Sequence, residues 1–367
     1  MTAVSAGVPA SLNADGKPGE SPRIVSVGSA VPGTSYTQEE LLDIFRITDP
    51  RIRSVFRNSA IDRRFLTLPP MAPDGGRRVE TQGELLRKHR REGLDMGARA
   101  LYECLKKADA VLGDVRYLCC VSSTGFLTPG FSALLISELG MNRDCGRLDV
   151  VGMGCNAGLN GLNAVTGWAA AHPGELAVLL CVEACSAAYV FDGTMRTSVV
   201  NSLFGDGAAA AAVLLDDGDT RGPRLRKFAS CLIPEAIDAM RYDWDDGHGK
   251  FSFYLDRDVP YVVGAHSEGI VNLLLKDTDV RRGEISHWVL HAGGKKVIDS
   301  MMINLGLTRY DVRHTMGVLR DYGNLSSGSF LVSYERLLDD GVIAPGDHGI
   351  LMTMGPGSTI ETALLEW

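Results

Sequence analysis

Residues 151–160 read V-G-M-G-C-N-A-G-L-N, and the fold is decided here because a strand passes through glycines into a helix. The apolar run 148–151 predicts the strand, and residues 155–172 predict the helix, which ends before Pro173 and Gly174. Small residues recur along this helix, at Gly158, Gly161, Ala164, Gly167 and Ala171. Because glycine costs backbone entropy in a helix, this one is predicted to be buried on nearly all sides, with another helix packed closely against it.

Cys155 is the candidate nucleophile because it stands at the start of that helix. Unpaired N–H groups and the positive end of the helix dipole favour a thiolate there, and such thiols can have a pKa of roughly 3.5–7.5 instead of about 8.5. The alternative is a core cysteine that packs as a small apolar side chain. Other catalytic groups beside Cys155 would favour the nucleophile.

The composition is that of a globular protein, with 45% apolar and 22% charged residues among 367. A net charge of −8 argues against nucleic acid as a partner. No apolar run has the length of a membrane span and no signal peptide is evident, so we expect a cytoplasmic protein without membrane attachment. The eight cysteines are irregularly spaced, which predicts reduced thiols and no metal site.

Residues 51–91 form a basic segment within this acidic protein. The segment holds eleven Lys or Arg residues against four Asp or Glu residues, a local charge of +7. One interpretation is a solvated basic face. The other is a surface that attracts a small polyanion, such as the phosphates of a nucleotide-based molecule.

The chain is predicted to fold as a flexible tail at residues 1–22 followed by two halves at 23–220 and 221–367. The boundary between the halves is placed at the Gly- and Asp-rich stretch 216–223. Alternating strands and helices predict an α/β fold with mixed sheets that are covered by helices on both faces. Further helices are predicted at 38–45, 83–108 and 132–139, and further strands at 24–28, 176–182, 208–215 and 349–354.

The second half repeats the order of the first. A strand at 286–290 that ends in His291 corresponds to the strand at 117–121, and a helix opened by residues 322–328 corresponds to the helix that Cys155 begins. This pseudo-symmetry predicts that Cys155 and Asn324 lie at neighbouring helix starts, with His291 at a strand end beside them. The three side chains would supply a nucleophile, a proton or charge partner and an amide donor.

At these residues the chain resembles the type III polyketide synthases of the thiolase superfamily. The motifs that carry the resemblance are G-C-N-A-G around Cys155, L-F-G-D-G at 203–207, Phe253 before D-V-P at 258–260, H-A-G-G at 291–294, G-N-L-S-S at 323–327 and G-P-G at 355–357. The resemblance covers roughly residue 24 to the C-terminus. It implies a homodimer of thiolase-like five-layered αβαβα subunits, each made of two pseudo-symmetric halves.

The resemblance also implies a mechanism. Cys155 would accept an acyl group from a CoA thioester, and His291 and Asn324 would hydrogen-bond the thioester oxygen of malonyl-CoA. These donors would stabilise the enolate that forms as carbon dioxide leaves, and the enolate would attack the acyl group on Cys155. CoA thioesters are the substrates, and no bound cofactor or metal is implied.

Further site residues follow from the same resemblance. Phe204 and Phe253 match an aromatic gate between the CoA tunnel and the cavity, although both could be plain core aromatics. The positions expected to contact CoA or the tunnel mouth are Arg51, Arg257 and Lys296. Ser326 and Thr353 are candidate donors for ring closure. Small residues near Cys185 and Ala188 are expected to line the cavity and to suit a small starter.

The residues within the motifs most resemble those of bacterial members that make 3,5-dihydroxyphenylacetyl-CoA for glycopeptide antibiotics. This resemblance implies four malonyl-CoA units per product. One alternative is another bacterial type III synthase that makes tetrahydroxynaphthalene, an alkylresorcinol or a pyrone. Another is a catalytically silent, CoA-binding partner with the thiolase fold. Whether pathway partner enzymes aid product release stays open.

Overall fold

The computed structural model describes residues 21–188, 193–216 and 222–367. The predicted tail, apart from its last two residues, and most of the predicted boundary 216–223 lie outside these ranges. The strands of the first half are β1 (Arg23–Ala30), β2 (Ser35–Thr37), β3 (Arg63–Phe65), β4 (Val115–Ser122), β5 (Gly146–Val151), β6 (Leu176–Glu183) and β7 (Gly207–Leu214). Its helices are α1 (Gln38–Ile44), α2 (Pro50–Arg57), α3 (Gln82–Lys107), α4 (Phe131–Leu139), α5 (Ala157–Ala171) and α6 (Met195–Asn201).

The second half has fewer helices in its described part. Its strands are β8 (Arg224–Leu232), β9 (Met240–Asp245), β10 (Lys250–Leu255), β11 (Ile285–Leu290), β12 (His348–Gly355) and β13 (Thr359–Glu366). Its helices are α7 (Val259–Leu275), α8 (Lys295–Leu305), α9 (Arg313–Tyr322) and α10 (Ser329–Asp340). The helices and strands predicted from the sequence all occur, within a few residues of their predicted ends.

Nine strands follow one another in the order β11-β12-β13-β8-β1-β7-β6-β4-β5. Only the pair Arg23–Arg224 joins β1 to β8, so the strands fall into two half-sheets. In the first, β4 runs parallel to β5 and β6, and β7 is antiparallel to its neighbours; in the second, β11 and β12 are parallel and β13 is antiparallel. The sheets are therefore mixed, as predicted.

Two helices lie between the half-sheets. Helix α5 contacts β4, β6 and β7 of one half-sheet and β12 and β13 of the other, while α10 contacts β1 and β7 on one side and β11 and β12 on the other. Helices α3 and α4 cover the outer face of the first half-sheet, and α7, with α8 packed on it, covers the second. This is the predicted αβαβα arrangement. Within the described ranges, no helix is both long and apolar enough to cross a membrane.

The prediction that α5 is buried on nearly all sides is only half right. A Cβ on Gly158 would lie 2.2 Å from the Ser327 carbonyl oxygen and 2.7 Å from the Phe330 ring, so this glycine permits the approach of the α10 segment. By contrast, Gly167 is exposed, with no heavy atom within 4 Å of such a Cβ. The C-terminal part of α5 therefore has a solvent-facing side, because the close helix contact is confined to its first turns.

The hairpin formed by β9 and β10 was not predicted. Its sequence contains a period-two alternation, in which Met240, Tyr242 and Trp244 occupy every second position. That spacing is the ordinary signal of a strand. The intervening residues, Arg241 and Asp243, are charged and complete the alternation. The hairpin matters because it forms one wall of the cavity described next.

Candidate active site

A cavity of about 710 Å³ lies where the two central helices begin. Cys155, His291 and Asn324 all line it. The volume falls within the roughly 300–1,000 Å³ that is usual for small-molecule sites. The three residues predicted from the internal repeat are therefore brought together around one space.

Cys155 is positioned by a turn that requires glycine. Strand β5 ends at Val151, and Gly152 and Gly154 follow with φ of +84° and +77°. A Cβ at Gly154 would lie 2.3 Å from Pro356, so the turn also packs tightly against the loop after β12. Cys155 then sits in the 3-10 turn Gly154–Asn156, directly before α5, with its side chain partly exposed to the cavity.

The expectation of a low thiol pKa is wrong. Burial raises the pKa of Cys155 to about 12, and the nearby Glu183 carboxylate also raises it; hydrogen bonds from Ser326 and Asn324 oppose the rise. The position of Cys155 at a helix end favours a thiolate and can be recognised in the sequence. The exclusion of water by the surrounding protein, which raises the thiol pKa, cannot be recognised there. At neutral pH the Cys155 side chain is therefore a thiol.

His291 follows the last residue of β11, and its backbone N–H donates to the Met352 carbonyl at 2.8 Å. The side chain is buried, and its Nδ1 has no hydrogen-bond partner among the described residues. Burial lowers the pKa of His291 to about 3. The imidazole is therefore neutral, with one N–H group that can donate.

Asn324 is held by the strand-like segment opposite it. Its backbone N–H donates to the Leu203 carbonyl at 2.8 Å, and its carbonyl accepts from Gly205 N at 3.0 Å. The side-chain Oδ1 accepts from Ser326 N at 2.8 Å, which leaves Nδ2 as the donor, 3.3 Å from the Gly293 carbonyl oxygen. The amide therefore presents N–H groups on the side where His291 and Gly293 lie.

A buried polar network behind Cys155 was not predicted from the sequence. Cys155 Sγ lies 3.6 Å from Ser326 Oγ, which lies 2.9 Å from Ser123 Oγ. Ser123 donates to Glu183 from its backbone N and from Oγ, and Ser327 Oγ donates to the same carboxylate. Burial raises the pKa of Glu183. The available signal was a lone acidic residue at the end of the otherwise apolar strand β6.

The two aromatic residues predicted as a gate do face each other. The rings of Phe204 and Phe253 meet edge to face, with centroids 6.2 Å apart. Both side chains are buried and both line the cavity. Phe253 lies on β10 and also contacts Tyr242 of β9, so the hairpin fixes one side of this constriction.

Four cations surround the cavity mouth, namely Arg241, Arg257, Lys295 and Lys296. Arg257 and Lys296 were predicted, whereas Lys295 and Arg241 were not. Arg51 was predicted to contact CoA, but it does not line the cavity; it lies exposed at the start of α2, whose later residues Ser54 and Asn58 do. One turn of helix separates its Cα from the residues that line the wall.

Four residues that were predicted at or near the cavity wall do not line the cavity, namely Ser326, Thr353, Cys185 and Ala188. Thr353 is fully buried in β12 and does not line the cavity; its neighbour Met354 does, because successive strand residues face opposite sides. Cys185 lines a second, smaller cavity, and Ala188 lines neither of the two. Among the described residues, no group of three or more His, Cys, Asp or Glu side chains could hold a metal ion.

The chain is similar to known proteins of one family. Residues 45–274 match the model for FAE1/type III polyketide synthase-like proteins, and residues 230–367 match the C-terminal domain of chalcone and stilbene synthases. The 3,5-dihydroxyphenylacetyl-CoA synthase of Streptomyces toyocaensis is 66% identical over 94% of this chain and 90% of its own. That of Amycolatopsis balhimycina is 66% identical over 94% and 93%.

A solved structure agrees with the fold. The 1,3,6,8-tetrahydroxynaphthalene synthase of Streptomyces coelicolor superposes with a TM-score of 0.83 at 28% identity. The match covers 94% of this chain and 99% of that one. The arrangement of half-sheets and central helices is thus shared over nearly the whole length of both proteins.

Proposed function

Since this chain belongs to the type III polyketide synthase family, we propose that it condenses four malonyl-CoA molecules into 3,5-dihydroxyphenylacetyl-CoA. The chain is an acyltransferase of this family. The observation that carries the product assignment is the 66% identity, over 94% of the chain, to relatives named for that product. The tetrahydroxynaphthalene synthase with the same fold is only 28% identical.

Cys155 is the proposed acyl carrier. Its sulfur attacks the thioester carbonyl of a CoA substrate, the CoA sulfur leaves, and the thiol proton goes in the end to that leaving group. Because the resting thiol has a pKa of about 12, the thiolate forms only as the transfer proceeds. The neutral His291 imidazole can accept the thiol proton, and the Ser326 hydroxyl can stabilise the negative charge on the sulfur.

His291 and Asn324 are the proposed donors to the thioester oxygen of malonyl-CoA. Loss of carbon dioxide leaves an enolate, whose negative oxygen requires hydrogen-bond donors and not a base. A neutral imidazole N–H and the Asn324 Nδ2 amide meet this requirement. The enolate carbon then attacks the carbonyl of the acyl group on Cys155, which lengthens the chain by two carbons.

The surroundings of the cavity support CoA as the carrier. Lys295, Lys296 and Arg257 lie at its mouth, where the phosphates of CoA would remain in solvent, and Phe204 and Phe253 narrow the passage inward. A catalytically silent CoA-binding partner is disfavoured, because a nucleophile and two donors would not be needed around one cavity.

The same family membership supports a homodimer. Strand β5 is the terminal strand of the first half-sheet, and exposed apolar residues lie at its end and in the loop before α4, at Val151 and Phe126. An open strand edge with apolar neighbours is a surface that a second subunit would cover. A cytoplasmic location and a pathway enzyme that aids product release are further expectations of the same proposal.

Incubation with carbon-13-labelled malonyl-CoA, with no other starter, tests the product. The expected result is an eight-carbon aromatic thioester, or its acid, that carries label from four malonyl units by mass spectrometry. A ten-carbon naphthalene or a predominant pyrone would refute the product assignment. Absence of carbon dioxide release and of acyl transfer to Cys155 would refute catalysis altogether.

A further inference from the structure

A second cavity, of about 170 Å³, lies on the other side of Phe204 from the reaction cavity. Four arginines line it, at Arg46, Arg64, Arg77 and Arg78. The acidic residue in its wall is Glu80, which is buried in an ion pair with Lys88 at 2.6 Å. The walls therefore carry a net positive charge.

Two of these arginines form no direct ion pair with a described carboxylate. Arg46 pairs with Asp74 and Arg78 with Glu84. In contrast, no described carboxylate forms an ion pair with Arg64 or Arg77; Arg77 Nη1 donates to the Pro69 carbonyl at 3.0 Å. Arg77 is therefore suited to an anion from solution, whereas the Asp206 carboxylate acts on Arg64 from beyond ion-pair distance.

Arg64 has an unused donor. The side chain is only 2% exposed, and its two Nη atoms donate to the Phe204 carbonyl at 2.7 Å and to Gln38 Oε1 at 2.9 Å. Its Nε is buried and has no acceptor among the residues that the structure describes. Buried polar atoms are nearly always paired, so an orphan beside a cavity indicates a missing partner.

The shape of the cavity restricts the ligand. Its volume is well below the roughly 300 Å³ at which drug-sized sites begin, so it holds only a few heavy atoms. Its floor is apolar, formed by side chains such as Leu41, Phe45 and Leu66. An organic acid with a short carbon body matches both the cationic wall and the apolar floor, whereas phosphate has no apolar part. Exposed Arg46, Arg78 and Val79 give access from solvent.

We propose that this second cavity binds a small organic carboxylate, of about the size of malonate, on Arg64 and Arg77. The ligand would lie against the Phe204 wall without entering the reaction cavity. Arg64 holds the carbonyl of Phe204, and the preceding residue, Leu203, accepts from the backbone of Asn324. Binding there would thus act on the segment that carries the constriction, whatever the product of the enzyme is.

Equilibrium dialysis of the full-length protein with radiolabelled malonate, at saturating free CoA, tests the proposal. Bound CoA would occupy the entrance of the reaction cavity and hinder malonate from entering there, so one further malonate per chain should still bind saturably. Arg77→Gln should weaken this binding at least tenfold, and Arg77→Lys, which keeps the charge but loses the planar fork, should weaken it less. Arg116→Gln is the matched control, since Arg116 lies on β4, half exposed, outside both cavities.

Circular dichroism and thermal melting first establish that each variant is folded. Three results would overturn the proposal: no saturable malonate binding in the presence of CoA, binding that Lys296→Gln weakens while Arg77→Gln does not, or displacement by phosphate as readily as by unlabelled malonate. The second places malonate in the reaction cavity, and the third means that the cavity responds to charge alone. None of these results depends on which polyketide is made.

Discussion

Replacement of Ser326 by alanine should make Cys155 a weaker nucleophile. Ser326 Oγ lies 3.6 Å from Cys155 Sγ and is the strongest of the influences that lower the pKa of this thiol against burial. The Ser123 hydroxyl donates to Glu183 and can therefore accept from Ser326 when the thiol is neutral. When the thiolate forms, the Ser326 hydroxyl can rotate and donate to the sulfur instead.

The size of the effect follows from the charge on the acceptor. A hydrogen bond to a charged group contributes about 1.5–3 kcal/mol. A tenfold change in an ionisation constant corresponds to about 1.4 kcal/mol. Since Asn324 continues to stabilise the thiolate, the lower end applies, and Ser326→Ala should reduce the thiolate fraction at a given pH about tenfold.

Alkylation by iodoacetamide, followed on the Cys155 peptide by mass spectrometry, measures this fraction. For the unaltered protein the rate should rise about tenfold for each pH unit between 7 and 10, because the thiol pKa of about 12 lies above that range. Ser326→Ala should lower the rate about tenfold at each pH. The matched control is Ser327→Ala, because Ser327 bonds to Glu183 and not to the sulfur.

Two outcomes would refute this reasoning. A rate that reaches a plateau near pH 8 would mean that the helix end outweighs burial, as the sequence alone suggested. Equal rates for Ser326→Ala and Ser327→Ala would mean that the hydrogen bond at the sulfur has no effect on ionisation. A melting temperature close to that of the unaltered protein is needed for either comparison.

Three further perturbations are predicted. Cys155→Ala should abolish chain extension but leave some release of labelled carbon dioxide from malonyl-CoA, because His291 and Asn324 remain; acylation mapped to another cysteine would contradict this. Lys296→Ala should raise KM for malonyl-CoA by up to about fivefold at low salt with little change in kcat, since exposed charges contribute about 0–1 kcal/mol and are screened. Arg51 lies outside the cavity wall, so Arg51→Ala should raise KM less than Lys296→Ala does. An equal rise in KM for the two variants would indicate that Arg51 contacts CoA, as the sequence predicted. In urea denaturation, Gly158→Ala should lower the free energy of unfolding by about 1–3 kcal/mol through overpacking, whereas Gly167→Ala should raise it by up to about 1 kcal/mol. Similar changes for both variants would contradict the packing described.

The internal repeat allowed the most distant elements of the fold to be predicted from the sequence. The strand that ends at His291 and the helix opened by Asn324 could be placed because they follow the order already seen around Cys155. The same repeat placed two central helices between two sheets, and both helices contact both half-sheets. The glycine spacing, the strand ends and the order of the motifs were sufficient to predict this arrangement of helices and sheets.

Properties that depend on neighbours distant in the chain could not be predicted from the sequence. Glu183 was overlooked because nothing near it in sequence shows that Ser123 and Ser327 would meet it. Thr353 was placed at the cavity although strand alternation turns it away. Cys185 lies in a different cavity because the intervening wall includes Phe204, nineteen residues further on.

The sequence by itself was sufficient to predict that Cys155, His291 and Asn324 come together and that the fold is a layered α/β fold, because helix starts, strand ends and an internal repeat can be recognised in the sequence. Only the tertiary structure decided the ionisation of these groups. Burial raises the pKa of Cys155 to about 12 and lowers that of His291 to about 3. Desolvation depends on every neighbour that excludes water, and those neighbours come from both halves of the chain. The second, arginine-lined cavity has the same origin, since Arg64, Arg77 and Phe204 line one space only after the chain has folded.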